Sequence, residues 1–215
     1  MSEGRTTEIP SFKVRRGRTG PLSRAARVRL WPVHGIDPPY DGKLVRDRPL
    51  VLEIGFGMGE ATALMAAADP ETDVLAVEVH PAGVMALLRR LEAAALRNVR
   101  VVEGDALAVL QALPAGSLRE VRLFFPDPWP KTRHAKRRFV RPSVAELLAS
   151  RLAPDGCLHV ATDRPEYAAH VREVLTGWDV EEVPRPLHRP ETGYERRALE
   201  AGRPVTDLVA RAARD

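Results

Sequence analysis

The sequence predicts an α/β fold in which an open, mostly parallel sheet is covered by helices on both faces. Two observations carry this prediction. From Pro49 onward, apolar runs alternate strictly with helix-like segments, which is the order of parallel α/β proteins. The runs are apolar throughout, as expected for strands buried on both faces. The 215 residues, 44% of them hydrophobic, suit one domain with a real core.

Seven strands and five helices are predicted from the local pattern. The strand candidates are short apolar runs bounded mostly by Gly, Pro or acidic residues; they lie at 49–56, 73–80, 99–105, 118–127, 156–163, 178–183 and 206–211. The helix candidates are rich in Ala and Leu or carry apolar residues about 3.6 positions apart; they lie at 60–68, 83–96, 107–113, 142–152 and 165–177. Residues 184–208 are proline-rich and basic, and we expect a loop there before the last strand.

Two clusters of basic residues indicate a polyanionic partner. The net charge is +4, and arginines concentrate at 12–29 and 131–141; a solvated charged face is the alternative for each cluster. Residues 1–48 are rich in Pro, Gly and Arg, with one short helix candidate at 22–30. We therefore expect a basic N-terminal arm and lead-in segment at 1–48 and a single α/β domain at 49–215.

The composition argues against several classes of protein. No apolar stretch approaches the roughly 18–20 residues of a membrane span, and the first residues lack the apolar core of a secretion signal. Cys157 is the single cysteine, so an internal disulfide is impossible. We therefore expect a cytoplasmic protein. We also expect no metal centre, because the histidines are scattered along the chain, at positions 34, 80, 134, 159, 170 and 188.

A glycine-rich turn after the first strand is the first sign of a ligand site. Gly55, Gly57 and Gly59 separate this strand from a helix, and glycines allow close approach of the backbone to a ligand. A dinucleotide site needs its third glycine one residue later. That position is Glu60, and a carboxylate at the helix start disfavours a pyrophosphate. Together with Glu53, it favours a cationic ligand such as S-adenosylmethionine.

Acidic residues follow the next strands. Glu78 closes the second strand, where a carboxylate can accept both ribose hydroxyls, and Asp105 follows the third, where it can bind the amine of an adenine. Asp127 and Asp163 end the fourth and fifth strands. Ligands of open parallel sheets bind beyond the carboxyl ends of the strands. We therefore expect S-adenosylmethionine there rather than NAD, with hydride transfer as a more distant alternative.

The fourth strand runs into a stiff turn, FPDPWP, that the second basic cluster follows. Pro126 and Pro128 fix φ on both sides of Asp127, which suits a reaction that depends on positioning. Trp129 offers a flat surface for stacking on a base, with plain core packing as the alternative. The tetrapeptide DPPY at 37–40, which some amino-methyltransferases carry, is not preceded by an apolar strand, and we interpret it as a turn.

Five motifs together resemble the bacterial tRNA (guanine-N7)-methyltransferases. They follow the family's order from about residue 12 to 211, and read LEIGFGMGEAT, AVEVH, LFFPDPWPKTRHAKRRFV, ATDRPEYAAH and RPETGYERRALEAGRPVTDL. The resemblance implies a class I methyltransferase fold with a seven-stranded sheet and S-adenosyl-L-methionine as the methyl donor. It also implies that the acceptor is the guanine at position 46, in the variable loop of tRNA.

The resemblance also assigns roles to individual residues, with Asp127 as the catalytic residue. The expected cofactor contacts are Glu53, Gly55, Gly57, Gly59, Glu78, Asp105 and Asp127. The expected tRNA contacts are Lys131, Arg133, Lys136, Arg137, Arg138, Asp163, Thr192, Gly193, Tyr194 and Glu195. Gly193 departs from the family pattern, which has a basic residue there, often Lys; a glycine keeps the backbone contacts but not that side-chain contact.

The implied chemistry needs no activated nucleophile, because guanine N7 carries a lone pair in the neutral base. A carboxylate complements the N1–H and amine donors of guanine, so either Asp127 or Asp163 is a candidate clamp for that edge. The base must be exposed from folded tRNA at a cost of a few kcal/mol, and the basic clusters would contact phosphates. The alternatives are a non-catalytic tRNA-binding scaffold and a methyltransferase acting on another RNA, a protein or a small molecule. We expect a monomer or homodimer without an obligatory protein partner.

Overall fold

The computed structural model describes residues 21–40, 42–130 and 132–213. The start of the predicted basic arm, residues 1–20, and the predicted tRNA contact Lys131 lie outside the described residues. The described chain forms one seven-stranded sheet with helices on both faces, which confirms the predicted fold class. No helix within these ranges is both long and apolar enough to cross a membrane.

Strands and helices alternate along the chain. The strands are β1 Leu50–Ile54, β2 Asp73–Glu78, β3 Val99–Glu103, β4 Leu118–Phe124, β5 Leu152–Thr162, β6 Trp178–Val183 and β7 Thr206–Ala212. The α-helices are α1 Pro21–His34, α2 Glu60–Ala68, α3 Pro81–Ala93, α4 Ala106–Ala112, α5 Pro142–Arg151, α6 Pro165–Val174 and α7 Gly193–Glu200. A 3₁₀ helix spans Thr132–Arg137. Proline opens α3, α5 and α6, where its missing N–H costs nothing.

The order of the strands places a ligand site at one edge of the sheet. The order is β3-β2-β1-β4-β5-β7-β6; β7 is antiparallel to both neighbours and the other pairings are parallel. The order reverses between β1 and β4, where Ile54 pairs with Leu123. Chains leave such neighbours toward opposite faces, which opens a crevice beyond the carboxyl ends of the two strands.

The core has one layer on each side of the sheet. Helices α4, α5 and α6 cover one face, and α1, α2 and α3 cover the other. Neighbouring residues of β2 supply both layers, Leu75 the first and Ala76 the second, each fully buried; this is why the inner strands are apolar at successive positions. The edge strand β6 differs from the prediction, because it is largely exposed and mostly polar. Beyond α1, Ile36 donates its backbone N–H to Val101 O at the outer edge of β3 (2.9 Å). The lead-in segment therefore covers that edge of the sheet.

The structure departs from the sequence prediction mainly in the tail. Helix α7 occupies a segment where the apolar pattern predicts a loop. Thr192 caps this helix by accepting a hydrogen bond from Glu195 N (3.2 Å), and T-x-x-E is a start signal of helices. The first helix extends beyond the predicted 22–30 to His34, with Pro32 inside it. Strands β1 to β5 end one to three residues before their predicted ends, and the predicted ends of β1 to β4 instead form turns of the ligand site.

Candidate active site

A cleft of about 590 Å³ opens beyond the carboxyl ends of β1 to β4. All the residues that the sequence assigns to the cofactor line this cleft, namely Glu53, Gly55, Gly57, Gly59, Glu78, Asp105 and Asp127. The start of α7 lines it as well, through the predicted tRNA contacts Thr192, Gly193 and Tyr194, and through Arg197. The fold thus brings four strand ends and one helix start to a single site.

The turn between β1 and α2 requires glycine. Gly55, Gly57 and Gly59 have φ values of 72°, 59° and 70°, in the left-handed region that is open mainly to glycine. A Cβ on Gly59 would lie 2.7 Å from the side chain of Leu87. The glycine at this position therefore also lets the start of α2 pack closely against α3.

The carboxylate of Glu78 is held by the backbone on three sides. Its Oε2 accepts a hydrogen bond from Gly57 N (2.9 Å), and its Oε1 accepts from Val79 N (2.7 Å) and His80 N (3.0 Å). Two carboxylate oxygens offer about four acceptor sites, so capacity remains for a ligand. The side chain is fixed in orientation at the end of β2 and faces the cleft.

Glu53 is a buried acid with one unused oxygen. Oε1 accepts a hydrogen bond from the Thr62 hydroxyl (3.0 Å), whereas Oε2 is buried and has no hydrogen-bond partner among the residues described. Burial raises the pKa of Glu53 to about 7, against the opposing effects of Arg122 and Thr62. A buried carboxylate without a partner is costly, and it fits a cationic group that enters the cleft.

The turn after β4 has a strained backbone. Phe125 and Trp129 have φ values of 50° and 41°, which are unusual for residues with a side chain. Phe125 donates its N–H to Ala161 O (2.7 Å), so the first strained residue is tied to β5. Asp127 lies between the two strained positions, and its side chain is exposed at the mouth of the cleft.

Side chains from the following segment support this turn. The ring of Trp129 is only 6% exposed; it contacts His134 edge-on at 5.7 Å and lies under the guanidinium of Arg137 at 5.0 Å. Arg138 is buried as well, and its Nε donates to Pro128 O (3.1 Å). In this conformation Trp129 packs inside the protein. This agrees with core packing, which is the alternative to stacking on a base.

The predicted RNA contacts after the turn divide into two groups. Arg133 and Lys136, on the 3₁₀ helix, are exposed, and Arg137 is half-buried. Arg138 is turned inward to the backbone of the turn. The exposed basic surface therefore begins at the 3₁₀ helix, a few residues after Asp127 in the chain.

Two predicted substrate acids are engaged by arginines that sequence reasoning missed. Glu195 is buried, and both of its oxygens accept from Arg189 (2.6 and 3.0 Å). Arg189 is 1% exposed and also donates twice to Asp207 on β7 (2.8 Å each). Asp163 is buried, and its Oδ2 accepts from Arg203 Nε (2.8 Å). The tRNA contacts expected of Glu195 and Asp163 stay predictions. In the structure, both carboxylates form ion pairs that attach the segment after β6 to the rest of the fold.

A second buried group of charges adjoins Asp207. His159 contacts Asp207 through Nε2 (2.7 Å) and lies 3.7 Å from Glu120 through Nδ1. Burial alone would lower the pKa of His159, but the two carboxylates raise it. Burial alone would raise the pKa of Glu120, but His159 and Arg122 lower it to about 2. His188 joins Glu120 and His159 with ligand-type atoms within 4.8 Å, so the histidines are less scattered than the sequence suggests. Glu120 already has a cationic partner in Arg122, whose guanidinium lies 2.8 Å away.

The seven-stranded sheet with helices on both faces is the class I methyltransferase fold. A precorrin-6y C5,15-methyltransferase from Geobacter metallireducens superposes with a TM-score of 0.55 at 16% identity, over 89% of this chain and 88% of that one. An rRNA methylase from Streptococcus thermophilus gives 0.52 at 16% identity, over 80% and 91%. At such identities the likeness concerns the fold alone.

Sequence relatives define the family more closely. Residues 47–208 match a family model described as "Putative methyltransferase". The tRNA (guanine-N(7)-)-methyltransferase of Nitrosospira multiformis is 48% identical over 94% of both chains, and that of Streptomyces coelicolor is 47% identical over 94% of this chain and 80% of that protein. This chain belongs to the tRNA (guanine-N7)-methyltransferase family, which confirms the resemblance of its motifs.

The buried ion pairs of Arg189 predict a large loss of stability on substitution. Arg189→Met should lower the free energy of unfolding by about 3–5 kcal/mol, because it removes two hydrogen bonds from each of the buried carboxylates Glu195 and Asp207. Urea unfolding measures this change. The matched control is Arg196→Met on the same part of the chain, where Arg196 is exposed and pairs with Glu191; it should change stability by less than about 1 kcal/mol. Equal effects of the two variants would contradict the assignment.

Proposed function

We propose that this chain is a cytoplasmic, S-adenosyl-L-methionine-dependent tRNA (guanine-N7)-methyltransferase that acts on the variable-loop guanine. The proposal depends on the meeting of two unlike surfaces at Asp127. An acidic cleft that suits a cationic cofactor opens on one side, and a basic 3₁₀ helix that suits RNA follows in the chain. The names of the curated relatives, at 45–48% identity, support the same substrate here.

The residues of the cleft fit S-adenosyl-L-methionine, which supplies a methyl group already activated on a sulfonium. The unused oxygen of Glu53 would accept a hydrogen bond from the amino group of the cofactor. Glu78 would accept from the two ribose hydroxyls, because its backbone contacts hold it in one orientation. Asp105, which caps α4 through a hydrogen bond from Leu107 N (2.9 Å), would bind the adenine amine. A dinucleotide fits less well, because Glu60 opens α2 where a pyrophosphate would lie.

Asp127 would recognise the guanine. Its exposed carboxylate would accept from N1–H and the exocyclic amine, and so direct N7 toward the methyl group. No base is needed to activate N7, so the enzyme's contribution is mainly positioning. Asp163 is less suited to this role, because it is buried and pairs with Arg203.

Phosphate contacts would come mainly from the 3₁₀ helix. Arg133 and Lys136 are exposed there, and each phosphate contact releases counterions, which makes tRNA binding salt-dependent. Helix α1 would contribute less, because Arg27 and Arg29 form ion pairs with Glu103 and Glu92. The start of the predicted basic arm, residues 1–20, lies outside the described residues.

A non-catalytic scaffold is the main alternative function. A subunit that only holds RNA gains nothing from a buried carboxylate that lacks a partner. Glu53 is such a carboxylate, and burial raises its pKa to about 7. Its presence in the cleft therefore favours a chain that binds the cofactor and carries out the transfer.

Substitution of Asp127 tests both the reaction and the recognition step. With tRNA and S-adenosylmethionine, the wild-type protein should form 7-methylguanosine, measured by mass spectrometry of the tRNA nucleosides. Asp127→Ala should lower the single-turnover rate by at least ~100-fold, because the guanine is no longer oriented. Cofactor affinity should stay within a few-fold.

Asp179→Ala is the matched control, because this exposed aspartate lies on the edge strand β6. It should methylate tRNA at the wild-type rate. Near wild-type activity in Asp127→Ala would disprove the clamp, and no 7-methylguanosine with the wild-type protein would disprove the proposed function.

The raised pKa of Glu53 predicts that cofactor affinity depends on pH. Below its pKa of about 7 the carboxyl is mostly protonated, so the amino group of the ligand loses its anionic partner. The affinity for S-adenosylhomocysteine should therefore rise roughly tenfold between about pH 5.5 and pH 7.5, measured by calorimetry. Glu53→Gln should bind more weakly and with little dependence on pH. The same pH dependence in this variant would assign the titration to another group.

A further inference from the structure

We propose that Arg197 on α7 binds a phosphate of the RNA strand that carries the target guanine. This inference rests on the proposed function and adds a substrate contact to it. The guanidinium lines the same cleft as Asp127 and Tyr194. It lies one helical turn beyond Gly193, on the same face of α7.

Arg197 differs from the other arginines around it in its partners. Arg185, Arg189, Arg196 and Arg203 all form ion pairs with carboxylates. Within the described part of the chain, Arg197 forms none of these pairs and instead lies over the ring of Tyr194, 5.8 Å from its centroid. Its charge is therefore available to a ligand at the cleft.

The guanidinium of Arg197 lies beside Gly193. A Cβ at Gly193 would lie 3.7 Å from Arg197 Nη1, so the side chain of Arg197 folds back over the first turn of α7. Long helical side chains generally point toward the helix N-terminus in this way. The cation thereby reaches the end of α7 at which Thr192 and Tyr194 line the cleft.

The charges of the cleft restrict where a phosphate can lie. Glu53, Glu78 and Asp105 line its interior, and these carboxylates repel a phosphodiester. Arg197 is the one arginine or lysine that the described residues contribute to the lining. Its planar fork matches two phosphate oxygens. The RNA backbone would pass the cleft at α7, while Asp127 accepts the base.

The base of α7 is rigid enough to place this contact. Arg189 binds Glu195 on the first turn of the helix and Asp207 on β7. Arg197 follows Glu195 by two residues. The position of its backbone is thus set by a buried ion pair and does not depend on the RNA.

Arg197→Ala tests the contact, with Arg196→Ala as the matched control on the same helix. Affinity for a tRNA transcript is measured across a range of salt concentrations, and affinity for S-adenosylhomocysteine by calorimetry. Arg197→Ala should weaken tRNA binding roughly five- to tenfold and reduce the slope of log affinity against log salt by about 1. Arg196→Ala should leave both quantities unchanged, and S-adenosylhomocysteine should bind both variants within about twofold of wild type.

A second variant tests whether a cation near this position is sufficient. Gly193→Lys in the Arg197→Ala background should restore part of the affinity and of the salt slope, because a Cβ at residue 193 lies in ordinary contact with Arg197 Nη1 (3.7 Å) and therefore starts beside the position of the lost cation. An unchanged affinity and slope in Arg197→Ala would overturn the proposal, as would an equal loss in Arg196→Ala. If the wild-type protein neither binds nor methylates tRNA, both the proposed function and this contact are excluded. If the wild-type protein is active and Arg197→Ala behaves identically, only this contact is excluded.

Discussion

The arrangement of the cleft depends on one buried guanidinium, that of Arg189. Helix α7 has eight residues and buries only Glu195 and Ala198, and a helix this short is marginal without tertiary packing. Its attachment to the sheet therefore comes from the ion pairs of Arg189 with Glu195 and Asp207. The same guanidinium lies over the ring of Phe124, 5.6 Å from its centroid, at the end of β4. One side chain thus contacts both the α7 wall of the cleft and the strand that leads into the turn of Asp127.

This guanidinium belongs to a row of charges of alternating sign. Arg122 pairs with Glu120, and His159 lies between Glu120 and Asp207, which Arg189 binds in turn. Glu195, the second partner of Arg189, extends the row to three carboxylates and two guanidinium groups. A proton on His159 balances these charges, and the raised pKa of His159 favours that proton. Buried ion pairs contribute little net stability compared with apolar packing, but the loss of one partner is expensive. The row therefore holds these side chains and their strands in fixed positions, because the displacement of one member leaves its neighbours unpaired.

The sequence predicts the fold and the cofactor side of the cleft well, and the tail poorly. Glu78 and Asp105 directly follow apolar strands, so their place at one edge of a parallel sheet follows from the fold class alone. Arg189 gives no such signal, because its partner Asp207 lies 18 residues away and the segment between them is polar. Helix α7 is short and mostly polar, so its few apolar residues give too weak a periodic signal to reveal it, although Thr192 and Glu195 carry a capping signal. In the sequence, Arg138 cannot be told apart from the exposed basic residues that precede it. Only the structure shows that its side chain turns inward and contacts the backbone of the turn.

The strain in the turn explains how Asp127 can have a fixed backbone position although its side chain is exposed. Two non-glycine residues with positive φ cost about 1–3 kcal/mol each and persist only where the surroundings determine them. Phe125 is tied to β5 by its backbone, and Trp129 is buried under Arg137. Asp127 lies between them, so its backbone is determined although its side chain contacts solvent. The proposed recognition of guanine by Asp127 calls for a positioned carboxylate that the base can reach, and a rigid turn with an exposed tip has both properties.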